Sequence, residues 1–422
     1  MEKEPKNIIL YVGHVLDAAV KSIRAYEKKH KTPLRIAVLT ESRNNGNTHL
    51  AGVDIILSCN LRSHESITKT LAPIQDQLLA ITALGEGNAG TLRTVVPHVP
   101  YLATPTEKSL YWATNKLEMR RHLRAYDKNI NPNFLVVYDA RKKTLDEIEA
   151  HVGFPLVVKP TGLAESMLVS IVFHREEATQ VLRRAFRKIN VLYKKHGRQT
   201  KPTILVEQFM DGKMYSVDAY VTTRGKVHFC PMVFVKTGRA VGFDDFFGYI
   251  RLTPTQLSKD SVTEAEHAAT QAIHALGLRN TSVHVELLQT EDGWKVIELG
   301  PRLGGFRHVM YEKSYGIDHA ANDVLIRIPK NPVIPKKVLG HTAVMQFFAK
   351  EEGVLTSLKG TQKVKELKSF LSMKINRQIG ERCLYAKNGG RSVINIGLFN
   401  KDRSKLLADI RRLEQTIKIE TS

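Results

Sequence analysis

From Val283 to Gly305 the chain reads VHVELLQTEDGWKVIELGPRLGG, two runs of alternating apolar residues on either side of Glu291-Asp292-Gly293. Such a pattern folds as an antiparallel hairpin. Directly opposed residues in the pair share a face, so Glu286 meets Glu298 only if the loop has an odd number of residues. A three-residue loop, Glu291 to Gly293, meets that condition, with Gly293 free to take the left-handed conformation of a G1 bulge. The two carboxylates then sit roughly 5 Å apart at Cβ, which is destabilising unless one is protonated or a cation lies between them. A divalent cation resolves the conflict, and magnesium takes carboxylate oxygens while keeping other positions for water and substrate phosphates. The alternative is that Glu286 and Glu298 are neutralised separately by Lys or Arg in a structural network. His284 shares their face, either supporting a ligand from behind or as a satisfied polar core residue.

The rest of the chain must supply a core for this hairpin. With 422 residues, 42% hydrophobic and 25% charged, there is room for two to four domains, and general disorder is excluded. No run of about 18 apolar residues is present to span a bilayer, so no membrane partner is implied. The segment Met1 to Lys6 lacks the apolar core of a secretory signal, and a cytoplasmic protein is expected. Cys59, Cys230 and Cys383 are isolated and odd in number, which fits reduced thiols and neither a disulfide framework nor a zinc site. The net charge of +21 attracts phosphates, nucleotides, acidic substrates or nucleic acid without choosing among them. Lys and Arg are spread along the chain, and the clusters Arg183 to Lys188, Lys194-Lys195 and Arg411-Arg412 keep helical spacing, as solvated helix faces do. That disfavours nucleic acid as the partner while leaving it a competing class.

Strand signals at Asn7 to Gly13, Leu34 to Glu41, Gly52 to Cys59 and Gln77 to Gly87 alternate with helical stretches, predicting a small parallel α/β unit. It has no G-x-G-x-x-G, so no dinucleotide is inferred there. Pro and Thr punctuation near residue 103 precedes a basic amphipathic helix ending at Tyr126. Further strands are predicted at FLVVYDA and at GFPLVVKP, which Pro155 opens and Pro160 closes. The runs Thr203 to Met210, Met214 to Thr223 and Lys226 to Val235 read as consecutive antiparallel strands, and Thr263 to Leu278 as a helix ending at Gly277. From about Val333 shorter strands lead to a last basic helix, Arg403 to Ile417.

Lys159 ends an apolar strand, where its ammonium either reaches solvent or meets an anion, and Lys116 lies on the amphipathic helix. The ordered set of N-K-x-x-M-R, V-V-K-P, V-E-Q-F-M before G-K-M-Y-S-V-D, H-V-E and I-E-x-x-P-R-L-G-G resembles the ATP-grasp superfamily. The segment from Gly340, including KEEGVLTSLKG, is similar to the closing lobe of its carboxylate-amine ligases. The resemblance implies an α/β (α+β) chain with the ATP-grasp fold. Its expected parts are a Rossmann-like pre-ATP-grasp domain over residues 1–103, an ATP-grasp domain over 104–335 and a C-terminal lobe over 336–422. It implies ATP and Mg2+ (or Mn2+) as cofactors, and small-molecule carboxylate and amine substrates such as amino acids, with a homodimer as a compatible assembly.

The resemblance also implies roles. Lys116 and Lys159 would contact phosphates, joined by Ser166 and backbone amides of the covering loop. Glu207 to Met210 would line the adenine and ribose pocket, with the backbone of Gln208, Phe209 and Met210 reading the base edge. Glu286 and Glu298 would hold the metal, and Arg302 would reach the transferred phosphoryl. The segment Gly238 to Leu252 would border the acyl site, where Asp244-Asp245 either recognises a substrate ammonium or forms a solvated turn. Two positions depart from the family: Gly300 stands where an asparagine usually completes the metal shell, and the loop after Lys159 has Gly162 as its one glycine. The expected activity is ATP-dependent amide-bond formation through an acyl phosphate. The alternatives are a nucleotide-binding pseudo-enzyme or nucleic-acid-associated module on this fold, and a carboxylase or purine-pathway type of ligase.

Overall fold

The computed structural model describes residues 5–41, 51–163, 167–195 and 201–422. At the N-terminal end four parallel strands lie in the order Ile55–Cys59, Arg35–Glu41, Ile8–Val12, Leu78–Ala83. Ile8 to Val12 are all buried, as expected for a parallel strand covered on both faces. One of those covers is the helix His319–Arg327, far along the chain: Ala320 and Val324 pack with Ile9, Tyr11 and Val38. Thr82 Oγ1 donates to Asp323 Oδ2 at 2.6 Å across the same contact.

A second sheet, antiparallel and also four-stranded, runs Phe134–Val137, Ile204–Gln208, Leu156–Pro160, Ser170–Val172. The long helix Arg175–Lys195 covers it, burying Ala178, Leu182, Ala185, Ile189 and Tyr193. The opposite face of that helix, Arg183, Arg184, Arg187 and Lys188, is solvated as its spacing predicts.

The third sheet has nine strands. Gly293–Gly300 forms one edge, followed by Thr281–Thr290, Lys213–Val221, Val233–Thr237 and Gly248–Thr253; Val227–Phe229 also pairs with Lys213–Val221. The sheet continues through His341–Phe347 and Ile394–Asn400 to Phe370–Ile375, because His341–Phe347 pairs with Gly248–Thr253. The C-terminal region thus extends the central sheet rather than standing beside it. Its last helix, Arg403–Thr416, buries Leu406, Ile410 and Leu413 against this extension.

Two strand expectations are corrected. Ile204–Gln208 belongs to the small sheet, so it does not precede Lys213–Val221 as a ladder neighbour; Asp211-Gly212 turns the chain from one sheet to the other. The run Lys226 to Val235 is two strands, Val227–Phe229 and Val233–Thr237, separated at Cys230-Pro231, where proline lacks the amide a ladder needs. The basic amphipathic stretch is likewise two helices, Glu107–Thr114 and Lys116–Tyr126. Asn115 divides them and caps the second by accepting from the amides of Leu117 and Glu118. Cys59, Cys230 and Cys383 are buried free thiols, and no helix among the described residues is long and apolar enough to cross a membrane.

Candidate functional site

The nine-stranded sheet and the two four-stranded sheets converge on a cleft of about 1750 Å³. Lys116, Lys159, Glu207, Gln208, Phe209, Met210, Glu286, Glu298 and Arg302 all line it. Ser166 and its neighbours Ala164 and Glu165 lie outside the described residues.

The hairpin pairs Glu286 directly with Glu298, by a different route from the one the sequence suggests. Thr290 pairs with Gly293, so the turn is the two residues Glu291-Asp292 and the loop is even. Near the turn that register buries Trp294 and Val296 in the core. Continued unchanged, it would bury Glu298 too. Ile297 is the extra residue of a bulge, with Leu287 opposite Val296 and Glu286 opposite Glu298. Beyond it Leu299, at odd parity, takes the core position and Glu298 turns to the cleft.

Arg120 braces this bulge. Its guanidinium donates to the carbonyls of Val296 at 3.0 Å and Ile297 at 2.6 Å. The same group makes a bidentate pair with Glu207, Nε to Oε1 at 2.7 Å and NH2 to Oε2 at 3.1 Å. Lys159 Nζ donates to Glu207 Oε2 at 2.7 Å, so one buried carboxylate serves two cations. Burial alone would raise the Glu207 pKa; Arg120 first and Lys159 second overcome it and hold the carboxyl at about 2. Burial brings Lys159 down to about 8 despite Glu207. Lys116 opens the helix that carries Arg120 one turn later, and its Nζ reaches Glu298 Oε1 at 2.8 Å and Leu163 O at 3.2 Å.

Glu207 lines the cleft, and its side chain is the counter-ion of Arg120 and Lys159. The amides of Gln208 and Phe209 are also bonded, to Asn133 O and Pro155 O. The base contact expected of this segment would therefore fall to its carbonyls and to Met210.

Behind the hairpin, Asp218 is the centre of a buried network. It accepts from His284 Nδ1 at 2.6 Å, His319 Nε2 at 2.8 Å and the Gly304 amide at 2.7 Å. Burial would raise its pKa, but the two histidines hold it well below the usual carboxylate range. His284 turns its other nitrogen to Glu286 Oε1 at 3.6 Å, so it is both a satisfied buried residue and the support of a candidate ligand. Glu286 stays at about 2 because His284, then Arg302 and Arg251, outweigh its desolvation. Gly304 has to be glycine here: a Cβ would come within 2.5 Å of His284 Nδ1 and 2.8 Å of Asp218 Oδ1.

Glu298 thus has a cation of its own in Lys116, as the structural alternative expected, while Glu286 has His284 beside it and the charges of Arg302 and Arg251 within reach; the pair is also directly opposed on the cleft. Two opposed hard oxygen donors, with space beside them for phosphate and water oxygens, fit magnesium or manganese. Among the described residues no group of three or more His, Cys, Asp or Glu could hold a metal, and a cation at this hairpin would have these two carboxylates as its protein ligands. Asp244 matches the solvated turn, being exposed in a bend, whereas Asp245 does not. Asp245 is buried and accepts from the amides of Phe246 and Lys387, while Asp244 is exposed beside Lys387 Nζ. They tie the Gly238–Leu252 segment to the C-terminal loop and do not line the cleft.

Arg120 and Asp218 are what sequence reasoning missed as site residues. Both sit inside quoted motifs, N-K-x-x-M-R and G-K-M-Y-S-V-D, and a buried charge in a mostly apolar strand or helix face was the signal for each.

Residues 152–309 match the ATP-grasp domain family. Over 198 residues the chain is 25% identical to the alanine–anticapsin ligase of Bacillus amyloliquefaciens, a match covering 44% of this chain and 41% of that protein. The chain thus spans less than half the length of that curated relative. The L-amino acid ligase of Bacillus licheniformis superposes with a TM-score of 0.80 at 17% identity, covering 99% of this chain and 100% of the other. Phosphoribosylglycinamide synthetase from Anaerococcus prevotii superposes at 0.67, also at 17% identity, over 99% and 100%.

Proposed function

From a chain with the ATP-grasp fold, we propose an ATP-dependent carboxylate-amine ligase that forms an amide or peptide bond. What supports the reading is one convergence: Lys116 and Lys159 share a cleft with the opposed Glu286 and Glu298 and with Arg302. Lysine ammoniums suit phosphate oxygens as compact charges, and arginine suits the spread negative charge of a transferring phosphoryl. The relative named for joining alanine to anticapsin carries out a reaction of this type.

On this reading a substrate carboxylate oxygen attacks the γ-phosphorus of ATP, giving an acyl phosphate and ADP. The amine nitrogen of the second substrate then attacks the acyl carbon, phosphate leaves, and a proton is lost as the amide forms. Arg302 bears on the phosphoryl and then the acyl phosphate; Lys116 and Lys159 orient the polyphosphate; the Gln208 to Met210 segment borders the base. A divalent cation, Mg2+ or Mn2+, held by Glu286 and Glu298 supplies charge neutralisation between phosphate oxygens when bound. The same reading divides the chain near 103 and 335, and gives the C-terminal lobe a wall of the cleft, to which Gln346, Ser392 and Asn395 contribute. It sets the reaction in the cytoplasm, where ATP is abundant. Incubating purified protein with ATP, Mg2+ and amino acids in pairs, with phosphate release and product mass as readouts, tests it. Release that requires both amino acids supports the ligase; tight ATP binding without release under every pair supports a pseudo-enzyme instead.

A further inference from the structure

Arg251 is one of the cleft cations that the roles above leave unused, and on this wall the one most closely held by neutral partners. It projects from the strand Gly248–Thr253 and its NH1 donates to Gly248 O at 2.9 Å and to Gln346 Oε1 at 2.5 Å. Both acceptors are neutral, and among the described residues no carboxylate pairs with it. The Phe306 ring covers it at 5.4 Å, from a residue held at a left-handed φ of 64°. Bulky residues adopt that conformation rarely, so the ring's position is fixed by its surroundings. Gly248 makes the room: a Cβ there would lie 2.6 Å from Arg251 NH2.

The neighbours of Arg251 on the C-terminal side are neutral hydrogen-bonding groups. Gln346 Nε2 reaches Asn395 Oδ1 at 3.3 Å and Ser392 Oγ at 3.5 Å; Ser392 Oγ donates to Asn395 Oδ1 at 2.6 Å. This chain of amides and a hydroxyl holds the guanidinium without neutralising it. Arg391, beside Ser392, also lines the cleft and is exposed. Arg307, 2% exposed, lies near enough for its charge to be felt, and burial and then Arg307 bring the Arg251 pKa down to about 10 against the pull of Glu286, which faces it without forming an ion pair. A guanidinium kept beside other cations, with neutral partners and one covered face, is a recognition group for an anion.

Resting on the ligase reading, we propose that one substrate carries a second anionic group besides the carboxyl that is activated, and that Arg251 recognises it. Arg302 serves the reacting end, in the loop that follows Glu298. Arg251 comes from a different strand and backs onto the C-terminal lobe, so a substrate spanning the two presents an anionic group at each end. Carboxylate and phosphate share the required chemistry, and the probes separate them.

The test uses three pairs that differ in one anionic group: L-aspartate and L-asparagine, L-glutamate and L-glutamine, O-phospho-L-serine and L-serine. Binding of each to the full chain is measured by calorimetry with Mg2+ and a nonhydrolysable ATP analogue, in the wild type, Arg251→Gln and Arg251→Lys. The wild type should favour the acidic member of at least one pair by about 10- to 100-fold, the worth of a charge-assisted bidentate contact. The preferred pair names the anion. Arg251→Gln should bring that ratio near one and Arg251→Lys to an intermediate value; if the glutamine variant fails to fold, the lysine variant carries the test. Equal binding of both members by the wild type, or binding of neither in every pair, overturns the proposal. A ratio that survives in Arg251→Gln overturns it as well, as does a loss that is equal for both members. Phosphate release with any amino-acid pair decides the ligase reading separately, whichever way the preference falls.

Discussion

Arg120 and Glu207 form a bidentate ion pair, 2% and 5% exposed at their side chains, that joins the strand leading to the small sheet's hinge with the bulge of the carboxylate hairpin. Two expected functions, nucleotide contact at Lys159 and metal contact at Glu298, therefore depend on one guanidinium that touches neither ligand.

Replacing Arg120 by methionine leaves Glu207 with Lys159 alone and releases the carbonyls of Val296 and Ile297. The expected cost is about 3–5 kcal/mol, because one partner of a buried charge pair remains. Urea unfolding measures it, and adding Glu207→Gln should cost much less than the sum of the two single changes.

Glu286→Gln and Glu298→Gln each remove one hard oxygen charge from the opposed pair. Metal-dependent ATP consumption should fall by about a hundredfold or more in each, since the loss is several kcal/mol of charge stabilisation. Folding should persist in Glu298→Gln, whose side chain is one-third exposed, as circular dichroism would show.

Lys159 has its pKa lowered from 10.5 to about 8 by burial, against the pull of Glu207. Between those values the folded state binds fewer protons than the unfolded one, so this group's contribution to stability rises with pH. Nucleotide affinity runs the other way: as Lys159 loses its charge above about pH 8, binding of ATP should weaken. Calorimetric titration from pH 7 to 10 should show that limb in the wild type and a flat profile in Lys159→Met.

Gly304→Ala would drive a Cβ into His284, Arg307 and Asp218, all of them buried. The loop bearing Arg302 must shift, and overpacking of this kind costs about 1–3 kcal/mol. A larger effect is expected on turnover than on melting temperature, measured side by side, because the shift moves Arg302 while the sheet beneath stays intact.

Gly300→Asn is the opposite case. A Cβ there would meet the Cγ and Nε of Arg302 at 3.4 Å, a contact a flexible side chain relieves. An amide oxygen two residues after Glu298 should lower the half-saturating Mg2+ concentration by roughly 2- to 10-fold, the worth of one added polar contact, in a titration of ATP consumption.

The sequence made the carboxylate pair legible because alternation and parity are local properties, yet it misassigned their cause. An odd loop and a bulge at Ile297 give the same opposition of Glu286 and Glu298, and nothing in the order V-I-E-L says which one operates. The parallel sheet was readable from strand and helix alternation. The separation of Ile204–Gln208 from Lys213–Val221 was not, since two adjacent apolar runs look alike whether they share a sheet or turn away from each other. Arg120, Asp218 and Arg251 escaped for a common reason: their importance lies in partners 40 to 180 positions away, such as Glu207 and Val296 for Arg120. For Glu207 the sequence suggested a place in the lining of the cleft, and only three-dimensional contact shows that its charge is already matched by two cations.

The run of ladders from Gly293–Gly300 through Gly248–Thr253 and His341–Phe347 to Phe370–Ile375 binds the C-terminal lobe to the hairpin in one hydrogen-bonded frame. The small sheet of Leu156–Pro160 and Ile204–Gln208 shares no ladder with that frame among the described residues. Lys159 and Glu207 therefore sit on a separate sheet, and the Arg120–Glu207 pair ties that sheet to the hairpin. A truncation that removed the C-terminal lobe would not free a module; it would strip three of the nine strands from the sheet and expose the raw edge of Gly248–Thr253.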